Sequence, residues 1–434
     1  MDKMADVLGR AGAWCGQNKY LSAIKNAFQN FMPLTIAGAI GVLWCNVLVN
    51  DQTGLGLFFK PIMALDFLNP AFQAVNFCTI SCITVGITLG IAQEIGVWNM
   101  GAEKAGYIPG LVGLAAWLSV TNTSHMVEGA KEAFTGIAGN ELGATGLFTG
   151  MIIGVLSVEL FCFFEKQDAL KIKMPEQVPP GVARAFEVLV PATITLIITA
   201  CIGSACYNLT GLYLNDVIKN GIQGPLGAVG ATIPGVMIIY LVIMLFWLVG
   251  IHGNNMLSAV KEALFTPLAL ENVEAFNKGE TPKNIINMYA LQMWGEFGGS
   301  GVTIGLVIAI MIFGKREDNK AIATLSLVPG LFNINETVTF GVPMVLNPIL
   351  GIPFVVAPLI TIIIGYVLTV IGFCPVACLT VPWTTPPIVF GFLACGANVM
   401  GAVTQAILIV VSTVIYVPFL ISYEKYQNKQ AAEA

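Results

Sequence analysis

Charged residues are scarce in this sequence. Asp, Glu, Lys and Arg together make up 10% of the 434 residues, whereas soluble domains have about 25%. The 20 lysines and arginines are scattered and the net charge is −5, so the sequence lacks the basic patch of a nucleic-acid-binding protein. The composition therefore excludes a nucleic-acid partner. With a mean hydropathy of +0.80, it indicates an all-α polytopic membrane protein.

Metal-binding patterns are lacking as well. The chain has two histidines, and its ten cysteines show neither a CxxC pair nor the Cys/His spacing of a zinc site. Free cysteine behaves as a small hydrophobic residue, so we expect buried thiols, no metal site and no cofactor. The first 25 residues are also too polar to contain the apolar region of a cleavable signal peptide.

Apolar runs of about 20 residues, the length of a membrane crossing, fill the chain instead. In the first half they cover residues 26–50, 67–93, 105–127, 142–164 and 188–215. In the second half, continuous runs at 231–251, 301–313, 352–373 and 397–423 alternate with runs broken by proline and glycine at 321–350 and 375–392. Broken runs are typical of re-entrant segments. We therefore predict about ten transmembrane helices and two re-entrant hairpins.

Two further segments favour amphipathic helices at the membrane surface. Residues 4–15 carry an apolar stripe at helical spacing, with Lys3, Arg10 and Lys19 available to anionic headgroups. The alternative for this segment is an ordinary solvated start of a helix. Residues 210–226 are weakly amphipathic and predict an interfacial connector.

The distribution of basic residues predicts the orientation of the chain. The segment before residue 26 and the loop at 165–187 each contain four lysines or arginines, so the positive-inside rule puts both in the cytoplasm. Lys425 and Lys429 favour a cytoplasmic C-terminus. The 165–187 loop is proline-rich and stiff, which indicates a nearby boundary between an N-terminal domain of five helices at 1–210 and a C-terminal domain at 211–434.

One carboxylate stands out in the second half. Between Ala321 and Tyr423 the chain has a single ionisable residue of the Asp, Glu, Lys, Arg or His kind, Glu336. An acidic side chain at membrane depth is costly and usually functional. The alternative is that Glu336 reaches an interface or caps a half-helix.

Polar side chains gather in three clusters that suit a sugar. They are Trp247 to Asn255 around His252, the run Asn333 to Glu336, and the run Val381 to Pro387 around Trp383. Amides, a carboxylate and an imidazole discriminate between hydroxyl groups, and indole rings stack on the apolar faces of pyranoses. The alternatives are a His252 bonded to a backbone carbonyl and asparagines that cap broken helices.

These motifs resemble one known family. The runs Gly250-Ile-His-Gly253, Asn333-Ile-Asn-Glu336, Phe340-Gly-Val-Pro343, Asn347-Pro348 and Pro382-Trp-Thr384 look like those of the membrane IIC component of sugar phosphotransferase systems. The match is to the lactose, cellobiose and N,N'-diacetylchitobiose branch, and the stretch 178–186 is similar too. The resemblance covers essentially the whole chain.

The resemblance implies a homodimer in the bacterial cytoplasmic (inner) membrane. Its N-terminal half would form the dimer contact, and its C-terminal half would carry the sugar as an elevator. A phosphocysteine on a separate cytoplasmic IIB protein, itself supplied by IIA, would donate phosphate to the C6 hydroxyl of a β-linked disaccharide. Diacetylchitobiose and cellobiose are favoured over lactose. The chain would supply the sugar site and no phosphorylated residue of its own.

The resemblance also assigns roles to individual residues. Glu336 and His252 would lie at the C6 hydroxyl, with Glu336 the better candidate base and His252 an orienter. The predicted sugar-binding residues are Asn254, Asn255, Asn335, Trp383 and, more weakly, Trp247. Two other readings stay open: an ion-coupled secondary sugar transporter, in which Glu159, Glu296 and Glu336 would relay protons, and a membrane-embedded enzyme or scaffold without transport.

Overall fold

The computed structural model describes Arg10, Trp14 and residues 17–51, 55–125, 134–175, 177–342 and 344–433. Most of these residues are helical. Up to residue 230 the α-helices are α1 Lys19–Leu43, α2 Asn69–Asn76, α3 Ile83–Met100, α4 Ala102–Ala105, α5 Ile108–Val120, α6 Gly139–Leu142, α7 Ala144–Glu165, α8 Pro180–Thr210, α9 Leu214–Ile218 and α10 Gly224–Gly230.

The remaining α-helices lie in the second half. They are α11 Ile233–Leu248, α12 Gly253–Met256, α13 Ser258–Asn277, α14 Met288–Gly295, α15 Ile304–Phe313, α16 Glu317–Leu331, α17 Glu336–Gly341, α18 Gly351–Val370, α19 Val389–Ala394 and α20 Val399–Glu433.

Short elements of other kinds connect these helices. The 3-10 segments are Leu55–Leu57, Lys60–Leu68, Asp168–Leu170 and Ser300–Val302, and the π segments are Trp44–Leu48, Phe77–Ser81 and Lys219–Gln223. Strands β1 (Ser124–His125) and β2 (Phe134–Thr135) pair antiparallel, with Ser124 opposite Thr135. The predicted N-terminal amphipathic helix falls almost wholly outside the described residues, as does Pro343 of the family motif.

The chain divides into two compact units. The first comprises residues 17–38 and 74–228, and the second comprises residues 39–73 and 229–433. The division between Ala228 and Val229 lies C-terminal to the sequence-derived boundary at 210, and residues 39–73 belong with the second unit. The assignment of a dimer contact to one half and of the sugar to the other stays a prediction.

In the first unit, α3, α5, α7 and α8 pack side by side around the buried residues Trp117, Val120 and Ile153. Small residues let the helices approach closely, as is usual in membranes: a Cβ on Gly113 would lie 2.3 Å from the Cβ of Ala92. Polar contacts hold the helix ends. At the end of α7, Glu165 accepts contacts from Lys104 Nζ at 2.8 Å and from Arg184 Nη1 at 2.9 Å.

In the second unit, α15 and α18 each pack against α20, and α11 lies against α18. The predicted broken run at 375–392 has no helix between residues 375 and 388, all of which the structure describes. Side-chain amides fix this stretch. Asn272 and Asn287 both donate to the carbonyl of Ala377, at 3.0 and 3.1 Å, while Gln405 Oε1 accepts from the amide of Ile388 at 2.7 Å.

The helices agree with the predicted polytopic all-α membrane protein. Within the described ranges, 5 helices are long and apolar enough to cross a membrane, or up to 7 if each of two bent pairs forms one span. Two shorter apolar helices, α5 and α11, also match predicted crossings. The total of about ten crossings and the placement of the two hairpins in the membrane stay predictions.

A buried carboxylate from α20 caps the start of α16. Glu424 is 5% exposed and accepts from the backbone amides of Lys315 and Arg316, at 2.8 and 3.3 Å, and from Asn319 Nδ2 at 3.1 Å. A helix N-terminus has unpaired N–H groups and a partial positive charge, which a carboxylate satisfies. This contact therefore attaches the start of α16 to α20.

We expect Glu424→Gln to lower the melting temperature of the purified protein. The amide would turn one donor toward the backbone N–H groups, at a cost of about 1–3 kcal/mol. Glu317→Gln is the matched control, because that carboxylate lies in the same first turn but its side chain is 86% exposed. Thermal denaturation in detergent distinguishes the two variants, and equal melting temperatures would contradict the capping role.

Candidate functional site

The first side of the site is the chain reversal after α11. The helix ends at Leu248, Gly250 adopts a positive φ of 82°, and His252 then caps α12: its Nδ1 accepts the backbone amide of Asn255 at 3.3 Å. The indole of Trp247 lies beneath the imidazole, with ring centroids 4.4 Å apart. The local sequence therefore fixes the His252 ring both by packing and by a hydrogen bond.

The second side is the break between α16 and α17. Pro329 and Gly330 lie at the end of α16, Asn333 adopts a positive φ of 62°, and α17 starts at Glu336. A carboxylate in the first turn is favoured by the helix dipole. The break brings Glu336 Oε1 to 3.9 Å from His252 Nε2, with the two side chains 48% and 38% exposed. The structure thus places together the two residues that the sequence singled out for chemistry.

The protonation state of His252 follows from its contacts. Since Nδ1 accepts a hydrogen bond from Asn255, the neutral ring carries its proton on Nε2. Burial lowers the pKa of His252, which keeps the imidazole neutral at physiological pH. An Nε2–H donor therefore faces the Glu336 carboxylate across 3.9 Å. That separation is too long for a direct hydrogen bond, and an oxygen that contacts both atoms would lie beside the pair.

Two of the predicted sugar-binding amides meet at Ser300. Asn254 Nδ2 donates to Ser300 Oγ at 3.1 Å, and Asn335 Nδ2 donates to the Ser300 carbonyl at 2.7 Å. Both Nδ2 groups are therefore already engaged within the protein. Each NH2 group has a second hydrogen, so a ligand would contact either that N–H or the amide oxygen.

Asn333 connects the site to the Trp383 loop. Its Oδ1 accepts the amide of Gly298 at 2.6 Å, and its Nδ2 donates to the carbonyls of Trp383 and, at 3.3 Å, of Thr385. The Trp383 side chain is 45% exposed, so the loop is fixed through its backbone while the indole remains accessible. Such an indole is available to stack on a sugar.

Two buried polar atoms of the site have no hydrogen-bond partner among the described residues. They are the Trp247 Nε1 donor and the Asn254 Oδ1 acceptor. Buried polar groups are normally satisfied, so both atoms stand out among the residues around His252. Asn255, in contrast, is exposed and acts here through its backbone amide.

Four residues of this region, Ser300, Glu296, Lys261 and Tyr240, were not predicted as catalytic or sugar-binding residues, and Glu296 had appeared only as a possible proton relay. Ser300 links Asn254 and Asn335, while Glu296 contacts Lys261 and Tyr240 beside them. The sequence had one signal for them: the run 295–301 contains four glycines, one acid and one serine directly before an apolar helix. Lys261 gave no signal, because α13 contains several charged residues and resembles a solvated helix.

Comparisons with known proteins give consistent matches. The family model described as phosphotransferase system, EIIC, matches residues 25–358. The chain is 32% identical over 429 residues to the oligo-beta-mannoside-specific EIIC component of a phosphotransferase system from Bacillus subtilis (strain 168), with 98% of this chain and 94% of the relative covered. It is 30% identical to the cellobiose-specific EIIC component from Lactococcus lactis subsp. lactis (strain IL1403), with 98% of each covered.

A solved structure is similar as well. The crystal structure of the transporter ChbC, the IIC component from the N,N'-diacetylchitobiose-specific phosphotransferase system, superimposes with a TM-score of 0.88 at 30% identity. The superposition covers 97% of both chains.

Proposed function

Since the chain belongs to the EIIC family of the phosphotransferase system, a family of sugar permeases that work with IIB and IIA proteins, we propose that it carries a β-linked disaccharide and presents the C6 hydroxyl for phosphorylation. Diacetylchitobiose and cellobiose are the favoured substrates. The names of the cellobiose and diacetylchitobiose relatives support this choice, as does a site with one accessible indole, one buried indole donor and one amide oxygen without a partner among the described residues.

The observation that carries the chemistry is the gap between His252 and Glu336. A C6 hydroxyl beside this pair would accept a hydrogen bond from Nε2–H and donate its own proton to Glu336. The hydroxyl oxygen would then form a bond to the phosphorus of the IIB phosphocysteine as the phosphorus–sulfur bond breaks. The proton passes to Glu336 and the thiolate leaves with IIB. Positioning of this kind supplies much of the catalysis of phosphoryl transfer.

The remaining parts of the proposal concern assembly and movement. Residues 1–210 form the contact between two copies, and residues 211–434 carry the sugar across the cytoplasmic membrane in an elevator motion. Both termini lie in the cytoplasm, as the excess of lysine and arginine near them favours. Glu159 and Glu296 each contact a lysine, Lys19 and Lys261 respectively, which makes them poor members of a proton relay.

Uptake by vesicles tests this function. Membrane vesicles containing the chain receive labelled cellobiose or diacetylchitobiose on one side and IIB on the other, either phosphorylated or not. We expect sugar phosphate to accumulate only with phosphorylated IIB. Accumulation of free sugar that collapses with an ionophore would contradict the proposal and assign a secondary transporter, and no saturable uptake of either sugar would reject both.

A further inference from the structure

The sugar site is built around a buried turn that the proposed function does not use. Residues 296–302, here called the 296–302 turn, follow the end of α14 and precede α15. Gly298, Gly299, Gly301 and Val302 all have positive φ angles, and every residue of the turn except Glu296 is buried. A conformation this irregular must be held by its surroundings.

Contacts on one face of the turn hold the site residues. Ser300 binds Asn254 through Oγ and Asn335 through its carbonyl, at 3.1 and 2.7 Å. The amide of Gly298 donates to Asn333, which in turn binds the Trp383 loop. All three polar clusters of the site are therefore connected through the 296–302 turn.

Contacts from α20 and α11 hold the turn in place. On α20, Tyr416 Oη donates to the carbonyl of Gly301 and Ser412 Oγ to that of Val302, each at 2.8 Å. At the start of the turn, Tyr240 Oη donates to Glu296 Oε1 at 2.7 Å. The start of the turn thus depends on a carboxylate rather than on backbone bonds alone.

That carboxylate forms an ion pair with Lys261 of α13. The Lys261 and Glu296 side chains are 7% and 16% exposed, and the Lys261 ammonium also lies 5.5 Å from the centre of the Tyr240 ring. A buried charge that loses its partner is strongly unfavourable. Replacing either residue would therefore leave the other as an unpaired buried charge. Helix α13, which contains Lys261, begins directly after the segment that contains His252 and Asn254.

We propose that Glu296 is a positioning residue for sugar binding, in which its ion pair with Lys261 orients the 296–302 turn so that Ser300 holds Asn254 and Asn335. The proposal rests on the proposed function, since it concerns the same sugar site. Glu296 itself does not have to touch the sugar. Its effect passes through Ser300, and it acts on how tightly the sugar binds before any phosphate is transferred.

Sugar affinity measured apart from phosphorylation tests this role. Labelled cellobiose and diacetylchitobiose are titrated onto purified protein without IIB, and the melting temperature is recorded for each variant. We expect Glu296→Gln and Lys261→Met each to raise the Kd at least tenfold. The double variant Glu296→Gln with Lys261→Met removes both charges together and keeps an acceptor for Tyr240. It should recover only part of the affinity, because no unpaired charge is left but the ion pair is still missing.

The control separates positioning from general loss of stability. Glu424→Gln makes the same chemical change at a buried carboxylate outside the site, and it should lower the melting temperature without changing the Kd. The proposal is overturned if Glu296→Gln binds sugar within twofold of the unmodified protein, or if Glu424→Gln raises the Kd as much as Glu296→Gln does.

Two further results, a Glu296→Gln variant that does not fold and an unmodified protein that binds no sugar, lead to different conclusions. If Glu296→Gln does not fold, the sugar Kd of Ser300→Ala is measured in its place. This variant keeps the ion pair but removes the hydroxyl that binds Asn254. An unchanged Kd would overturn the proposal. If the unmodified protein binds neither sugar, the proposed substrates are wrong. The proposed function is then rejected, together with the positioning role that rests on it.

Discussion

Glu336→Gln is expected to reduce formation of sugar phosphate by about 10²–10⁴-fold, the range that a positioned general base contributes. Glutamine has the same shape but cannot take the proton of the C6 hydroxyl. The Glu336 side chain is 48% exposed and begins a short helix, so the fold should tolerate the change. Initial rates with phosphorylated IIB, compared with sugar affinity without IIB, separate chemistry from binding.

His252→Gln provides the comparison for this prediction. A glutamine amide can replace the Nε2–H donor, so this variant should lose less activity than Glu336→Gln. The reverse order would make His252 the base and Glu336 the orienter. Glu280→Gln, in the exposed loop after α13, is the matched carboxylate control and should retain full activity. Full activity of Glu336→Gln itself would remove this residue from the mechanism.

Gly299→Ala is expected to abolish sugar binding and to destabilise the second unit. Gly299 has a φ of 88° and a ψ of −176°, a region that is essentially restricted to glycine and that costs an alanine about 1–3 kcal/mol from backbone strain alone. The added Cβ would also lie 2.6 Å from the Cβ and Cγ of Asn335. Because Asn335 is bound to the neighbouring Ser300, neither residue can move without breaking the site. Sugar titration and thermal denaturation measure the two effects.

Gly279→Ala is the control that has a positive φ but no steric clash, so comparing it with Gly299→Ala shows what the clash contributes. Gly279 also has a positive φ, of 73°, but a Cβ there would meet no atom within 4 Å. This control should lose only the stability that the strained backbone costs and should bind sugar normally. Similar losses of affinity in the two variants would show that backbone strain, rather than the clash with Asn335, accounts for the defect at Gly299.

The fold was largely predictable because a helix that crosses a membrane needs about 20 consecutive apolar residues, and such runs are visible in the sequence. The predicted runs at 142–164 and 352–373 correspond to α7, Ala144–Glu165, and α18, Gly351–Val370. Where backbone geometry matters, composition was less informative. The run at 67–93 is not one straight helix, since Lys60–Ser81 and Ile83–Met100 meet at a bend of 42°. No proline or charge marks that bend, which follows a π segment at Phe77–Ser81.

The sequence indicated which polar residues to propose for the candidate site but not how they bond to one another. A lone acid in an apolar stretch identified Glu336, and an unusual histidine between two glycines identified His252. The sequence could not show that Asn254 and Asn335 share Ser300, because these three residues are distant in the chain. Lys261 was missed for a related reason. A lysine in a charged helix looks solvated until its distant partner Glu296 is known.

The cap that His252 places on α12 makes this corner of the protein sensitive to acid. A doubly protonated imidazole has no acceptor, so it would repel the Asn255 amide that now bonds to Nδ1. Because burial lowers the pKa of His252, this event belongs below the ordinary titration range of histidine. Acid would leave the Nε2–H donor in place and would unwind the single turn of α12, which contains Asn254. Trp247, in contact with the same ring, would report the change through its fluorescence during an acid titration, and a constant signal would show that the turn remains intact.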